Sequence, residues 1–120
     1  MGVSRLSALP FSGYGLRPVV VASDLEALRG PLHGRRQLPL HLDSSARPFY
    51  DFAAPRDRAQ GYQLVLLEAA DPTDLQQWLE RAELLRLWPD LYLPRSVRAA
   101  GQDAHPVLAG IGAGPQVPQP

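Results

Sequence analysis

The sequence predicts a single α+β domain, with a small, mostly antiparallel sheet in its N-terminal half and packed helices in its C-terminal half. Two observations predict this division. Up to about residue 52 the apolar residues come in short β-branched or alternating runs bounded by Gly, Pro, Asp and Ser. After that point they recur at spacings of three and four, which is the period of an amphipathic helix. The chain has 120 residues, enough to bury one hydrophobic core.

The folded unit is expected to span residues 17–108. Residues 1–16 show no sustained apolar period, and residues 109–120 (AGIGAGPQVPQP) contain too much Gly and Pro to hold a regular element. The sequence therefore predicts a flexible N-terminal segment and a disordered C-terminal tail on either side of the domain.

Three strands are predicted in the first half of the chain. The β-branched run at residues 18–22 (PVVVA) is the first, and Asp24 can cap a short helix that follows it. Residues 38–43 (LPLHLD) alternate leucine with other residues and contain a proline, which predicts an edge strand with one buried face. Residues 48–52 (PFYDF) are expected to pair back as a third strand.

Three helices are predicted in the second half. Proline suits the first helical turn, where its missing N–H costs nothing, and Asp71 is a good N-cap for the middle helix. Residues 61–69 (GYQLVLLEA) also fit a strand, so that alternative to the end of the first helix stays open. Prolines at 89 and 106 set the ends of the other two. The predicted helices are residues 55–69, 72–88 and 94–105.

The composition excludes several classes of function. Twelve basic and twelve acidic residues give a formal net charge of zero, so no global field draws the chain to nucleic acid or to an anionic membrane. The absence of cysteine excludes disulfides, thiolate metal sites and a cysteine nucleophile. No segment has the roughly 18 apolar residues of a membrane helix, and the N-terminus lacks a secretory apolar region, so we expect a cytoplasmic protein.

Catalytic motifs are also missing from the sequence. The three histidines lack the spacing of a metal pair, and no G-x-S-x-G, P-loop or dinucleotide pattern occurs. A small hydrolase or nuclease using His41, Asp43 or Asp51 would rest on residue type alone, and turn or cap contacts explain Asp43 and Asp57 more simply. The sequence therefore predicts a non-enzymatic protein with no catalytic residue, no metal site and no cofactor.

Residues 85–100 (LRLWPDLYLPRSVRAA) join two predicted helices between two prolines. They hold more apolar area than an exposed loop leaves uncovered, so either the core or a partner covers them. We expect a protein partner to bind here, because Trp, Tyr and Arg are the residues that interfaces enrich. The alternative is a nucleic-acid-binding regulator that uses Arg86, Arg95 and Arg98, the last two of which share a helical face by spacing. The residues assigned to the protein partner are Trp78, Trp88, Leu91, Tyr92, Arg95 and Arg98.

Three stretches of the sequence carry a resemblance to known proteins: GPLHGRRQLPLHLD, FAAPRDRAQGYQLVLLEAADPTDLQQWL and ELLRLWPDLYLPRSVRAA. Together they make residues 24–108 resemble a group of short actinobacterial proteins associated with mobile or toxin–antitoxin-like gene neighbourhoods. The resemblance implies a small accessory or antitoxin-like protein that acts through contacts with a partner. These motifs are structural and carry no catalytic chemistry.

Overall fold

The computed structural model of the protein describes residues 19–111 and the backbone of residues 116–117. It confirms the predicted α+β class: a small antiparallel sheet in the N-terminal half packs against helices of the C-terminal half. The helices α1 to α5 are Pro55–Glu68, Pro72–Trp78, Arg81–Leu87, Arg95–Ala104 and Pro106–Ala109; the strands β1 to β4 are Arg35–Arg36, Tyr50–Asp51, Leu93–Pro94 and Gln116–Val117; 3₁₀ turns cover Leu25–Ala27 and Trp88–Asp90.

The predicted flexible ends fall largely outside the described residues. Residues 1–16 and most of residues 109–120 are among those not described. Within the tail, the backbone of β4 pairs in parallel with β3, in the register Leu93 with Gln116 and Pro94 with Val117.

The strand predicted at residues 18–22 is wrong for the four of its residues that the structure describes, since residues 19–22 form no ladder. The cap after it is correct. Asp24 accepts a hydrogen bond from the Glu26 amide at 2.9 Å and begins a single 3₁₀ turn. Leu25 and Leu28 are buried on the inner side of this segment.

The edge strand predicted at residues 38–43 is also wrong, because the chain turns there. The amides of Leu42 and Asp43 both donate to the Pro39 carbonyl, at 2.9 and 3.0 Å. Leu38 and Leu42 are buried, as the alternation predicted, but Leu40 between them is 65% exposed. A turn places residues four apart on one side, whereas a strand would have buried all three leucines.

The antiparallel sheet lies instead between β1 and β2. Arg35 is opposite Asp51 and Arg36 is opposite Tyr50, and the Phe52 amide donates to the Gly34 carbonyl at 2.9 Å. Strand β2 lies within the third predicted strand, residues 48–52, so that prediction is correct in place although its partner strand was not foreseen. Tyr50 and Phe52 supply the buried face of this two-residue sheet.

Helix α1 confirms the helical prediction for residues 55–69, and the strand alternative for its second half is wrong. The single helix predicted over residues 72–88 is divided into α2 and α3. Asp71 caps the start of α2 as predicted. At its end, the Arg29 amide donates a hydrogen bond to the Gln76 carbonyl at 2.8 Å, and the Gly30 amide donates to the Leu79 carbonyl at 2.7 Å. These long-range hydrogen bonds compete with continuation of the helix, so α2 ends at Trp78.

Glu80 begins α3 by accepting a hydrogen bond from the Glu83 amide at 2.8 Å, while its own amide donates to the Tyr62 hydroxyl at 2.9 Å. The break between the two helices is thus stabilised on both sides by side chains. Burial of the Tyr62 ring raises the pKa of its hydroxyl to about 12. The hydroxyl therefore stays neutral at physiological pH.

Arg58 of α1 connects the two halves of the molecule. Its guanidinium donates to the carbonyls of Phe52 and Leu32, at 2.7 and 3.2 Å, and forms an ion pair with Glu83 at 2.7 Å. One side chain therefore fixes β2, the loop before β1 and α3 relative to α1. No described helix is long and apolar enough to cross a membrane.

Candidate interaction surface at the helix junction

The junction between α3 and α4 is built by its two prolines. Pro89 lies in the 3₁₀ turn that ends α3, and Leu91 after it is extended. Pro94 has the extended backbone of an N-cap, and α4 begins with the next residue. Both prolines act as the sequence predicted, because proline cannot continue a helix at 89 and is tolerated just before one at 94.

Most apolar side chains of the junction belong to the core. Leu87, Trp88, Leu91 and Leu93 are all buried. Trp78, on α2, is buried too, and its ring stacks on Phe52 with centroids 5.9 Å apart. Of the six residues expected to bind a protein partner, the structure therefore places Trp78, Trp88 and Leu91 inside the domain.

Tyr92 is the exception among the junction's large apolar residues. Its side chain is 47% exposed although its two neighbours, Leu91 and Leu93, are buried. Its amide donates to the side-chain oxygen of Gln63 on α1 at 2.8 Å. The backbone at Tyr92 is thus held by the burial of Leu91 and Leu93 and by the hydrogen bond to Gln63 of α1.

Gln63 has no marker in the sequence that links it to this surface. It lies 29 residues before Tyr92, and only the packing of α1 under the junction brings the two together. The apolar period of α1 marks Gln63 only as a polar helix position, which gives no information about a contact with the junction.

Arg98 lies inside the domain, with only 2% of its surface exposed. Its guanidinium donates to the carbonyls of Trp88, at 2.9 Å, and Leu91, and its charge centre lies 5.2 Å from the Trp88 ring. Burial lowers the pKa of this guanidinium from its usual value. Arg98 therefore holds the 3₁₀ turn of the junction in place.

The arginine face predicted from spacing is divided between core and solvent. Arg95 is exposed at the start of α4, whereas Arg98, three residues later, faces inward beside Val97 and Gly101. The third arginine of the predicted set, Arg86, is exposed but forms an ion pair with Glu83, with its Nε 3.1 Å from both carboxylate oxygens. Spacing places Arg95 and Arg98 on the same side of the helix, but it does not predict which of the two the rest of the domain buries.

The carboxylates near β2 have structural partners. Asp43 is buried and accepts hydrogen bonds from the Ser45 hydroxyl and the Tyr50 hydroxyl, both at 2.6 Å. These two bonds hold the pKa of Asp43 below its usual range, while burial and the same carboxylate raise the pKa of Tyr50 to about 12. Asp57 accepts from the Asp51 amide at 2.9 Å and pairs with Arg47 at 3.0 Å. Asp43 thus has the turn contacts that the sequence predicted.

The histidines are dispersed over the fold. His41 contacts Asp74 at 2.9 Å, His105 contacts the Ala22 carbonyl at 2.6 Å, and His33 is exposed. Within residues 19–111, no three His, Cys, Asp or Glu side chains are arranged so that they could hold a metal ion.

The described residues form a small α+β fold in which Tyr92, whose amide is bonded to Gln63, and Arg95 are exposed at a proline-bounded junction. No protein-family model, no curated protein and no solved structure matches this chain.

Proposed function

We propose that this chain is a non-enzymatic protein–protein interaction module that binds its partner through the exposed part of the helix junction, Tyr92 and Arg95. The observation that carries the proposal is Tyr92, an aromatic side chain held in solvent by a backbone whose neighbouring side chains are buried. The resemblance to the actinobacterial group supports an accessory or antitoxin-like role for this contact.

A fixed aromatic residue binds at low entropic cost. The Gln63 bond to the Tyr92 amide and the burial of the residues on either side leave the ring little backbone freedom to lose on binding. Tyrosine and arginine are also among the residues that most often dominate binding energy, since each offers a large apolar surface with a polar end. Arg95, three residues along, adds an exposed charge that can form a bidentate hydrogen bond with a partner's carboxylate.

The test is capture of binding partners from the host lysate by the tagged full-length chain, with nuclease present. We expect one protein in stoichiometric amount, and we expect the Tyr92→Ser, Arg95→Ala double variant to lose it. The matched control is Val107→Ser, which removes another apolar side chain of similar exposure, 44%, at a different place in the fold.

Two outcomes would contradict the proposal. One is a partner that the double variant retains at unchanged affinity, and the other is equal loss of the partner in Val107→Ser. Because Tyr92, Arg95 and Val107 are all exposed, the double variant and Val107→Ser are both expected to unfold at the same denaturant concentration as the wild type.

The alternative of a nucleic-acid-binding regulator on the last long helix has less support. Arg98 is buried and Arg86 is paired with Glu83, so Arg95 alone of the three arginines is both exposed and outside the ion pairs of the described residues. One exposed arginine does not form a phosphate-binding surface.

A further inference from the structure

The two exposed residues of the proposed surface, Tyr92 and Arg95, lie on either side of strand β3. Only Leu93 and Pro94 separate them, and both of these are buried. The Tyr92 side chain is 47% exposed, and Arg95 is exposed at the start of α4. A partner segment that contacts both exposed side chains therefore runs along β3.

Strand β3 already has an extended segment beside it. The backbone of β4 pairs with it in parallel, with Gln116 opposite Leu93 and Val117 opposite Pro94. Parallel bonds are slanted, so each residue bonds to the neighbours of the residue opposite it. Because Pro94 has no N–H, the pattern that remains has the Leu93 carbonyl accept a hydrogen bond from the Val117 amide. The backbone of β3 thus binds an extended chain.

The pairing of β4 is short enough to be displaced. It covers two residues on each strand, and a parallel pair is slightly less stable per residue than an antiparallel one. In the sequence, Pro115 precedes β4 and Pro118 follows it. Proline has no N–H to donate, so neither neighbour of β4 supplies a donor that could lengthen the ladder.

A partner's strand in the same register would reach both exposed side chains. Its residue just before the one opposite Leu93 would lie opposite Tyr92, and side chains of paired residues project from the same face. An apolar or aromatic side chain at that position would pack on the Tyr92 ring. A carboxylate just after the paired residues would lie on the Arg95 side, where a guanidinium binds it well.

We propose that β3 is a strand-addition site, at which the protein partner contributes an extended segment that pairs in parallel in place of β4. This inference rests on the proposed function for the Tyr92 and Arg95 surface, and it adds the kind of segment that binds there. Main-chain hydrogen bonds and a few side-chain contacts are a common basis for recognising extended peptides. The chain's own β4 fills the site in the absence of a partner and therefore weakens the partner's apparent affinity.

The test uses the isotope-labelled full-length chain and a synthetic peptide with the tail's own sequence, GAGPQVPQP, residues 112–120. Binding is followed by NMR at the amide signals of Tyr92, Leu93 and Arg95. Val117→Pro removes the amide that β4 donates to β3, so it opens the site without changing residues 19–111. If β4 occupies β3 in about nine molecules of ten, this variant should bind the peptide about tenfold more tightly than the wild type.

Two controls separate strand pairing from other effects of the tail. Gln119→Pro makes the same kind of change outside β4, and this chain should bind the peptide as the wild type does. A peptide with proline in place of Val117 should bind neither chain, because it lacks the donor.

A further peptide, with tryptophan in place of Pro115, tests the register. It should bind the Val117→Pro chain about threefold more tightly than the unaltered peptide, because the tryptophan lies opposite Tyr92. Adding Tyr92→Ser to that chain should remove the gain. A gain that survives Tyr92→Ser would contradict the register.

Three results would overturn the inference. The first is no saturable change in either chain at millimolar peptide, and the second is equal affinity of the wild type and Val117→Pro. The third is a set of shifted amides that excludes Tyr92, Leu93 and Arg95. These results do not involve the lysate partner, whereas the proposed function fails if the Tyr92→Ser, Arg95→Ala variant retains that partner, so the two failures are distinguishable.

Discussion

Gly101 of α4 lies directly against the indole of Trp88: a β-carbon built on Gly101 would stand 2.7 Å from Cη2 and 3.2 Å from Cζ2 of that ring. Trp88 is buried in the core, so a β-carbon at Gly101 would force its ring to shift against the side chains around it. The close approach between the junction and α4 therefore requires a residue without a side chain at this position.

Replacing Gly101 by alanine should destabilise the protein. Alanine favours a helix by about 1 kcal/mol over glycine, but overpacking of a buried ring costs about 1–3 kcal/mol, so we expect a net loss of about 1 kcal/mol in the free energy of unfolding. Urea denaturation measures it. The control is Gly110→Ala, where the nearest atom to a new β-carbon is an ordinary 3.6 Å away. Equal stability of the two variants would mean that the ring yields without cost.

Glu83 makes the free energy of unfolding depend on pH. The Arg86 hydrogen bond, with a further contribution from Arg58, lowers the pKa of Glu83 from 4.5 to about 2 in the folded protein. Because the folded pKa is the lower one, this stabilisation is fully present above pH 4.5 and is lost as the pH falls toward about 2. We expect it to be of the order of 2 kcal/mol, allowing for solvent screening on the Arg86 side.

The measurement is urea denaturation of the wild type and of Glu83→Gln across that pH range. Other carboxylates titrate in both proteins, so the difference between the two curves isolates Glu83. The difference should be largest near neutral pH and shrink as the pH approaches 2. A difference that stays constant with pH would show that Glu83 acts through packing rather than through its charge.

The sequence predicted best where a single local rule decides the structure. Asp71 and Pro72 fixed the start of α2, and Pro89 and Pro94 fixed the junction, because capping and the missing proline N–H act within a few residues. The division between α2 and α3 was missed because its cause is distant in the chain. Gly30 approaches so closely that a β-carbon on it would stand 2.3 Å from the Trp78 carbonyl carbon.

The candidate surface was predictable only in part, for a related reason. Composition identifies Tyr92 and Trp88 as equally suited to a core or to an interface, and only packing separates the exposed ring from the buried one. Helical spacing likewise places Arg95 and Arg98 on one side, but the position of the neighbouring junction decides that one faces water and the other does not. Burial depends on how the elements pack together, whereas the apolar period of a helix depends on that helix alone.

Arg95 and Arg98 thus form a matched pair for a last test. Arg98→Met leaves two buried carbonyls, those of Trp88 and Leu91, without this donor. Each buried acceptor left unsatisfied costs about 1–3 kcal/mol, and removal of the buried charge offsets part of that cost, so we expect a loss of about 2–4 kcal/mol in the free energy of unfolding. Arg95→Met changes an exposed side chain and should shift stability by no more than about 0.5 kcal/mol.

Urea denaturation of both variants, with binding assays on the folded fraction, separates a structural arginine from a contacting one. Arg98→Met should lose stability while keeping partner affinity per folded molecule, and Arg95→Met should do the reverse. Equal effects of the two variants on binding, with no difference in stability, would mean that Arg98 reaches the surface in the bound state. The junction would then open on binding, because the carbonyls that Arg98 holds belong to the 3₁₀ turn and to the residue before Tyr92.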